Sequence, residues 1–296
     1  VAWETVDGIV LLDKPAGLTS NAALQRARRL FRARKAGHTG SLDPLATGML
    51  PLCFGEATKF AGHLLDADKE YRVRLRFGVQ TDTADADGRV VAEADRRAVP
   101  DPELAACLAR FRGEIDQVPP MYSALKSGGQ RLHALARAGR EVPRAPRRVR
   151  IHGLEVAAAD PATPSLWVRC SKGTYIRALV EDIATALGTL AHVVELRRLA
   201  VAPFPAAGMV TLETLQAAAT AGALGQYLLP VDAGLAAWPR VELAGDLAGR
   251  LLSGRPVTAP VAACGPVRVY GPGDRFLGVA DAGADGLVTP RRLRAA

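Results

Sequence analysis

Long apolar runs are missing from this 296-residue chain. Nothing in it approaches the roughly 20 residues that a membrane-spanning helix needs, so no membrane span is expected. The first residues show no basic stretch followed by an apolar core, so secretion is not expected either. Cysteine is scarce. Cys53, Cys107, Cys170 and Cys264 are far apart and form no CxxC pair, so neither a zinc site nor a disulfide framework is indicated. Four separate thiols fit a reducing cytoplasm and ordinary core positions. Four aspartates crowd one stretch, Asp82, Asp85, Asp87 and Asp95, but the closing Glu and central Gly of a calcium loop are absent. Internal repeats, low-complexity tracts and cofactor-binding motifs are lacking as well.

Acidic residues are missing where basic ones gather. The net charge is +8, and between Lys126 and Arg150 eight basic residues meet one acid, Glu141, a local sum of +7. A second cluster, Arg26, Arg28, Arg29, Arg32, Arg34 and Lys35, contains no acid. A solvated helix face ordinarily mixes signs, so two unmixed clusters point toward a polyanion such as nucleic acid. With 49% hydrophobic and 23% charged residues, the remainder reads as an ordinary globular protein.

The apolar pattern outlines an alternation of strands and helices. Ile9 to Leu12 reads as a short buried strand stopped by Pro15 and Gly17. Thr19 or Ser20 can cap a helix whose apolar face is Ala22, Ala23, Leu24, Ala27, Leu30 and Phe31. "MLPLCFG" reads as another strand and "EATKFAGHLL" as a short helix. In "YRVRLRFG", Tyr71, Val73, Leu75 and Phe77 alternate with Arg72, Arg74 and Arg76, the period of a half-buried strand with one basic face. An acidic hairpin loop follows, then a helix at 101–112, an irregular and partly helical basic stretch to Pro146, and strands at 149–157 and 165–171. A helix from Thr174 to Leu187, a strand at 193–200 and a helix at 211–224 complete the larger part. Residues 238–296 alternate short strands with Gly/Pro turns and read as a small β-rich domain.

One loop stands apart. "GHTGSLDPLATGML" (Gly37 to Leu50) has three glycines, one proline and a single carboxylate, Asp43, with no lysine or arginine inside it. Such composition specifies a loop of unusual backbone angles. By itself it admits two accounts: a turn in which Asp43 bonds its own backbone ahead of Pro44, or a loop that presents a reactive carboxylate.

"LLDKPAGLTS", the Asp43 loop with the following "PLCFGEATK", "YRVRLRFG" with "TDTADADG", "PPMYSALK", "CSKGTYIRALVEDI" and "VVELRRLAVAPF" occur in that order. Together they resemble the TruB family of tRNA pseudouridine synthases over nearly the whole chain. The resemblance implies an α+β fold: a mixed, mainly antiparallel central sheet flanked by helices, with a small β-barrel-like domain of the PUA type. Domain boundaries follow: residues 1–237 as a catalytic domain carrying a basic RNA-clamping insertion at about 117–148, and 238–296 as the RNA-binding appendage.

The implied activity is isomerisation of the T-loop uridine at tRNA position 55 to pseudouridine, with no cofactor and no metal. Asp43 then becomes the essential carboxylate, and Arg177 the cation that keeps it ionised in a dry pocket. By the residues alone Arg177 could be a surface helix arginine, though Ile176, Ala178 and Leu179 beside it weaken that account. Tyr71 becomes the ring beneath the flipped base, a role compatible with its place as a strand core residue. Tyr175 and Leu196 resemble pocket-lining positions, Lys14 and Pro15 the motif that supports the loop, and His38 a residue on the RNA-facing rim. Lys126 and Arg131 belong to the basic insertion, where His133 stands in place of a tyrosine common in the family. The implied partner is the tRNA T-arm, with a cytoplasmic monomer, no membrane and no obligate protein partner. Two other readings stay open: a synthase directed by guide RNA, and an RNA-binding or RNA-folding protein whose chemistry is incidental.

Overall fold

The structure is a computed structural model in which the described residues are 2–123 and 125–295, without the side chains of Ser127, His133 and Arg137. The expected stacking difference at His133 therefore lies outside the described side chains. The chain opens with β1 (Gly8–Lys14), α1 (Ser20–Leu30), β2 (Ala36–His38) and β3 (Thr47–Phe54). The stretch expected as one short helix splits into a 3-10 turn (Gly55–Lys59) and α2 (Ala61–Asp66), which leads into β4 (Lys69–Phe77). A hairpin of β5 (Val79–Thr81) and β6 (Val90–Glu93) is followed by α3 (Asp101–Ala109) and β7 (Gly113–Gln117). The basic stretch holds a small hairpin, β8 (Lys126–Ser127) with β9 (Gln130–Arg131), and α4 (Leu132–Arg137). Then come β10 (Arg147–Ala158), β11 (Ser165–Cys170), α5 (Ile176–Ala186), β12 (Ala191–Val201) and α6 (Leu212–Thr220).

The central sheet runs β1-β3-β12-β4-β11-β10-β7, with β2 pairing to β3. Its ladders are antiparallel except for β3 against β12. The buried run of β1 serves two cores at once. Val10 and Leu12 join the core beneath α1, α3, α5 and α6, while Ile9 and Leu11 face the opposite layer. In β4 the expected alternation holds: Tyr71, Val73, Leu75 and Phe77 are buried and Arg72 and Arg76 exposed. Of the two cap candidates for α1, Thr19 is the one that caps, its hydroxyl accepting from Ala22 N at 3.1 Å.

Behind the β1 and β3 side of the sheet sits the C-terminal part: β13 (Arg240–Glu242), α7 (Gly245–Leu252), β14 (Val257–Thr258), β15 (Gly265–Gly271), β16 (Arg275–Ala282) and β17 (Leu287–Leu293). Its five strands run β13-β15-β16-β17-β14 in an open, curled sheet that covers α7, giving the barrel-like form as a half-barrel. The helix α7 was not foreseen. This part has its own core around Leu251, Val267 and Val288, and reaches the main body through Phe60 and Phe276, whose rings meet edge-on at 5.3 Å. Lys59 Nζ adds a hydrogen bond to Leu293 O at 3.2 Å. Among the described residues no helix is long and apolar enough to cross a membrane.

Candidate active site

Asp43 lies in the loop between β2 and β3, and its backbone is fixed from several sides. Ser20 Oγ accepts from Leu42 N at 2.7 Å and donates to Leu42 O at 3.0 Å. Gly17 N donates to Pro44 O at 2.8 Å. Lys14, fully buried at the end of β1, donates through Nζ to Pro15 O and Leu18 O, both at 2.7 Å, and to Pro44 O at 3.3 Å. Burial lowers the Lys14 ammonium pKa to about 8, against the opposing pull of Asp43. The Lys14-Pro15 segment thus braces the loop.

The glycines of the loop have different reasons. At Gly48, φ is +97° and an added Cβ would stand 2.2 Å from Arg198 O, so the residue permits β3 and β12 to close on each other. Around Gly37 an added Cβ would meet nothing within 4 Å. A neighbouring strand is what demands glycine at position 48.

Arg177, at the second position of α5, grips the Asp43 carboxylate with the Nε/Nη2 edge of its guanidinium. Nε stands 2.9 Å from Oδ2 and Nη2 donates to Oδ1 at 3.2 Å. The guanidinium is itself held by Thr83 O and Tyr122 O, each at 2.7 Å, and lies 3.7 Å from Asp85 Oδ2. Only 4% of the Arg177 side chain is exposed, against 39% for Asp43, so the carboxylate opens to a ligand while its partner does not. Burial pushes the Asp43 carboxyl above the usual value, Arg177 pulls it down, and the Asp85 charge adds to the rise.

Two residues that sequence reasoning missed complete this frame. Asp85 is buried and accepts from Thr83 Oγ1 at 2.6 Å and Asp87 N at 3.1 Å. It is one of the aspartates of the acidic hairpin loop, and the sequence carries no signal that this one turns inward. Gln117 exchanges two bonds with the Tyr175 backbone, at 2.8 and 3.0 Å, and so fixes the start of α5 that presents Arg177.

Tyr71 is buried on β4 next to this cluster, its hydroxyl pKa raised chiefly by burial and further by Asp43, while Arg198 opposes the shift. Tyr175 caps α5, and Leu196 is buried on β12 opposite Val73. His38 ends β2 with a buried Nδ1 that has no hydrogen-bond partner among the described residues, and burial lowers its pKa. Lys126 and Arg131 face each other on the small hairpin, both exposed, and among the described residues no contact ties them to the Asp43 cluster.

The family sequence models match in order: the TruB family pseudouridylate synthase N-terminal domain over residues 28–176, the tRNA pseudouridylate synthase B C-terminal domain over 177–236, and the pseudouridine synthase II TruB C-terminal region over 239–293. A protein of Ectopseudomonas mendocina named tRNA pseudouridine synthase B is 55% identical over 294 residues, covering 97% of this chain and 95% of the relative. One of the same name from Pseudomonas aeruginosa strain UCBPP-PA14 is 52% identical over 293 residues, with 98% and 96% covered. The fold is shared with a chain of an H/ACA ribonucleoprotein bound to a substrate RNA containing 2'-deoxyuridine, at 22% identity and a TM-score of 0.75, covering 98% of this chain and 85% of that one. An archaeal box H/ACA Nop10-Cbf5 complex gives 23% identity and 0.74, with 98% and 86% covered. The chain belongs to the TruB family of pseudouridylate synthases.

Proposed function

We propose that this protein isomerises the T-loop uridine of tRNA to pseudouridine, with Asp43 as the essential carboxylate. The observation that carries the reading is the bidentate Arg177–Asp43 pair beside the Tyr71 ring, in a chain 55% identical to a tRNA pseudouridine synthase B. The reaction breaks the bond from uracil N1 to ribose C1′, turns the base, and joins C5 to C1′. C5 gives up its proton and N1 ends protonated, so the formula is unchanged. Such chemistry asks for an ionised carboxylate close to the sugar and base, screened from bulk water. Arg177 favours the charged form of Asp43 against the larger, opposing effect of burial, and the loop covers part of the carboxylate. It serves either as a nucleophile at C1′ or C6 or as a base that leads to a glycal.

The target base must leave the folded loop, which costs roughly a few kcal/mol. Stacking on the Tyr71 ring returns about 1–3 kcal/mol. Leu196 and Tyr175 complete the pocket wall, and His38 lies on the rim where the RNA enters. Residues 1–237 form the catalytic unit, and 238–296 a PUA-type module that contacts the same RNA. The basic segment near 117–148, with Lys126 and Arg131, holds phosphates of the T-arm. The protein works as a cytoplasmic monomer on bare tRNA, without guide RNA or protein partner.

The deciding assay uses unmodified tRNA transcript tritiated at uracil C5 and purified protein alone. Tritium release that vanishes with Asp43→Asn, while tRNA binding persists, is the expected result. Release by the Asp43→Asn variant, or tight binding without release by the unaltered chain, would overturn the reading.

A further inference from the structure

We infer that Arg198 is a positioning residue for this reaction, fastening both ends of the Asp43 loop to β12, the strand paired with that of Tyr71. The inference rests on the proposed synthase activity. Lys14, Gly48, Arg198 and Tyr71 are register partners in one row across β1, β3, β12 and β4. The loop carrying Asp43 passes over that row. Arg198 is 1% exposed, and its guanidinium meets two carbonyls, one on each side of Asp43 in the chain. Nε donates to Met49 O at 2.6 Å, past the end of the loop. Nη2 donates to Gly40 O at 3.0 Å, three residues before Asp43. The Tyr71 backbone is its register partner on β4, and the Arg198 charge acts on the Tyr71 hydroxyl.

What this arginine lacks is as informative. Its neighbour Arg197 pairs with Asp13 at 2.7 Å, and Arg177 pairs with Asp43. Arg198 forms no ion pair with a carboxylate among the described residues; two backbone carbonyls are its partners. An arginine needed only to fill the core would be better replaced by an aliphatic side chain of similar volume, because burying a cation without a counter-charge is costly. The planar fork explains its presence: it can join the two loop ends at fixed angles. Lys14 braces the loop from the other side at Pro44, so Asp43 hangs between two buried cations. The Arg198 charge also lowers the pKa values of His38 and Lys14 and holds down that of Tyr71, which places it at the centre of the cluster.

Arg198→Lys separates positioning from packing, since it keeps the charge and most of the volume but loses the fork. The readout is the single-turnover tritium-release rate constant with enzyme in saturating excess over tRNA, alongside the dissociation constant for tRNA. At saturation that rate constant does not depend on the fraction of enzyme that is folded. We expect the rate constant to fall by about 10²-fold, the scale of a small misplacement of a reacting group, with tRNA affinity unchanged. Arg198→Met, read the same way, should fall at least as far. A rate constant for Arg198→Lys equal to that of the unaltered protein overturns the inference. So does a fall matched by an equal weakening of tRNA binding. Because the unaltered protein is assayed in parallel, a failure of the synthase reading itself would show separately, as no release from it.

Discussion

At the scale of single residues, Asp43 is held between opposing influences that set its protonation. Burial is the largest and raises its pKa; Arg177 from α5 and Lys14 from β1 lower it, and Asp85 from the loop after β5 raises it. The balance leaves the carboxyl above its ordinary value of 3.8. A reaction that needs the ionised form therefore slows as pH falls through that raised pKa, at a higher pH than for a free aspartate. Arg177→Gln removes the strongest influence that favours the charge. Its acid limb is expected to move to higher pH, with tritium release measured as a single-turnover rate across the acidic range. An unmoved limb would mean that another group governs the pH dependence. Asp43 and Arg177 were legible through the resemblance of their segments to the family, which chose between the two accounts that the composition of the Asp43 loop left open. Asp85, Gln117 and Arg198 were not, because each acts through partners far along the chain: Asp85 and Gln117 through α5, Arg198 through Gly40, more than a hundred residues earlier.

At the scale of elements, strands with a strong apolar pattern were the most readable. The alternation in β4 named its own inward side, and β1 announced itself as an unbroken apolar run. Several elements escaped, among them β2, the β8–β9 hairpin, β7 and α7. The sequence "GEIDQ" of β7 carries charges on an edge strand and has no apolar alternation to mark it. Helix α7, only eight residues long, sits among Gly/Pro turns that dominate its surroundings. The parallel contact of β3 with β12 was equally hidden, yet it holds Gly48 against Arg198 and so sets where the Asp43 loop returns to the sheet. Gly48→Ala tests it. A methyl group there meets Arg198 O at 2.2 Å on a backbone with φ of +97°, a combined clash and strain on the order of 3 kcal/mol. Denaturant unfolding should show a loss of that size. A neutral outcome would mean that the two strands part without cost.

At the scale of the whole molecule, the two basic clusters have separate fates. In the first, Arg28 donates to Ala33 O and Arg34 O and lies over the Trp3 ring, Arg32 pairs with Glu4, and Arg34 reaches Trp3 O. Half of that cluster is engaged in fastening the beginning of the chain, which composition alone could not reveal. The second is freer. Arg144 is engaged by Glu141 and Pro119 O, and Arg148 by Asp116 and Glu114, but Lys126, Arg131 and Arg140 are exposed without such partners among the described residues. These three can neutralise RNA phosphates, and each contact displaces a condensed counterion. Removing one such side chain should weaken tRNA binding without regard to sequence and lessen the dependence of log affinity on log salt by about one. Arg131→Gln and Arg140→Gln, measured by tRNA binding over a salt series, are expected to do so singly and by about two when combined, if the contacts are independent. A slope unchanged in both would remove this segment from the RNA interface and shift the burden of phosphate binding to Arg26, Arg29 and Lys35 of the first cluster.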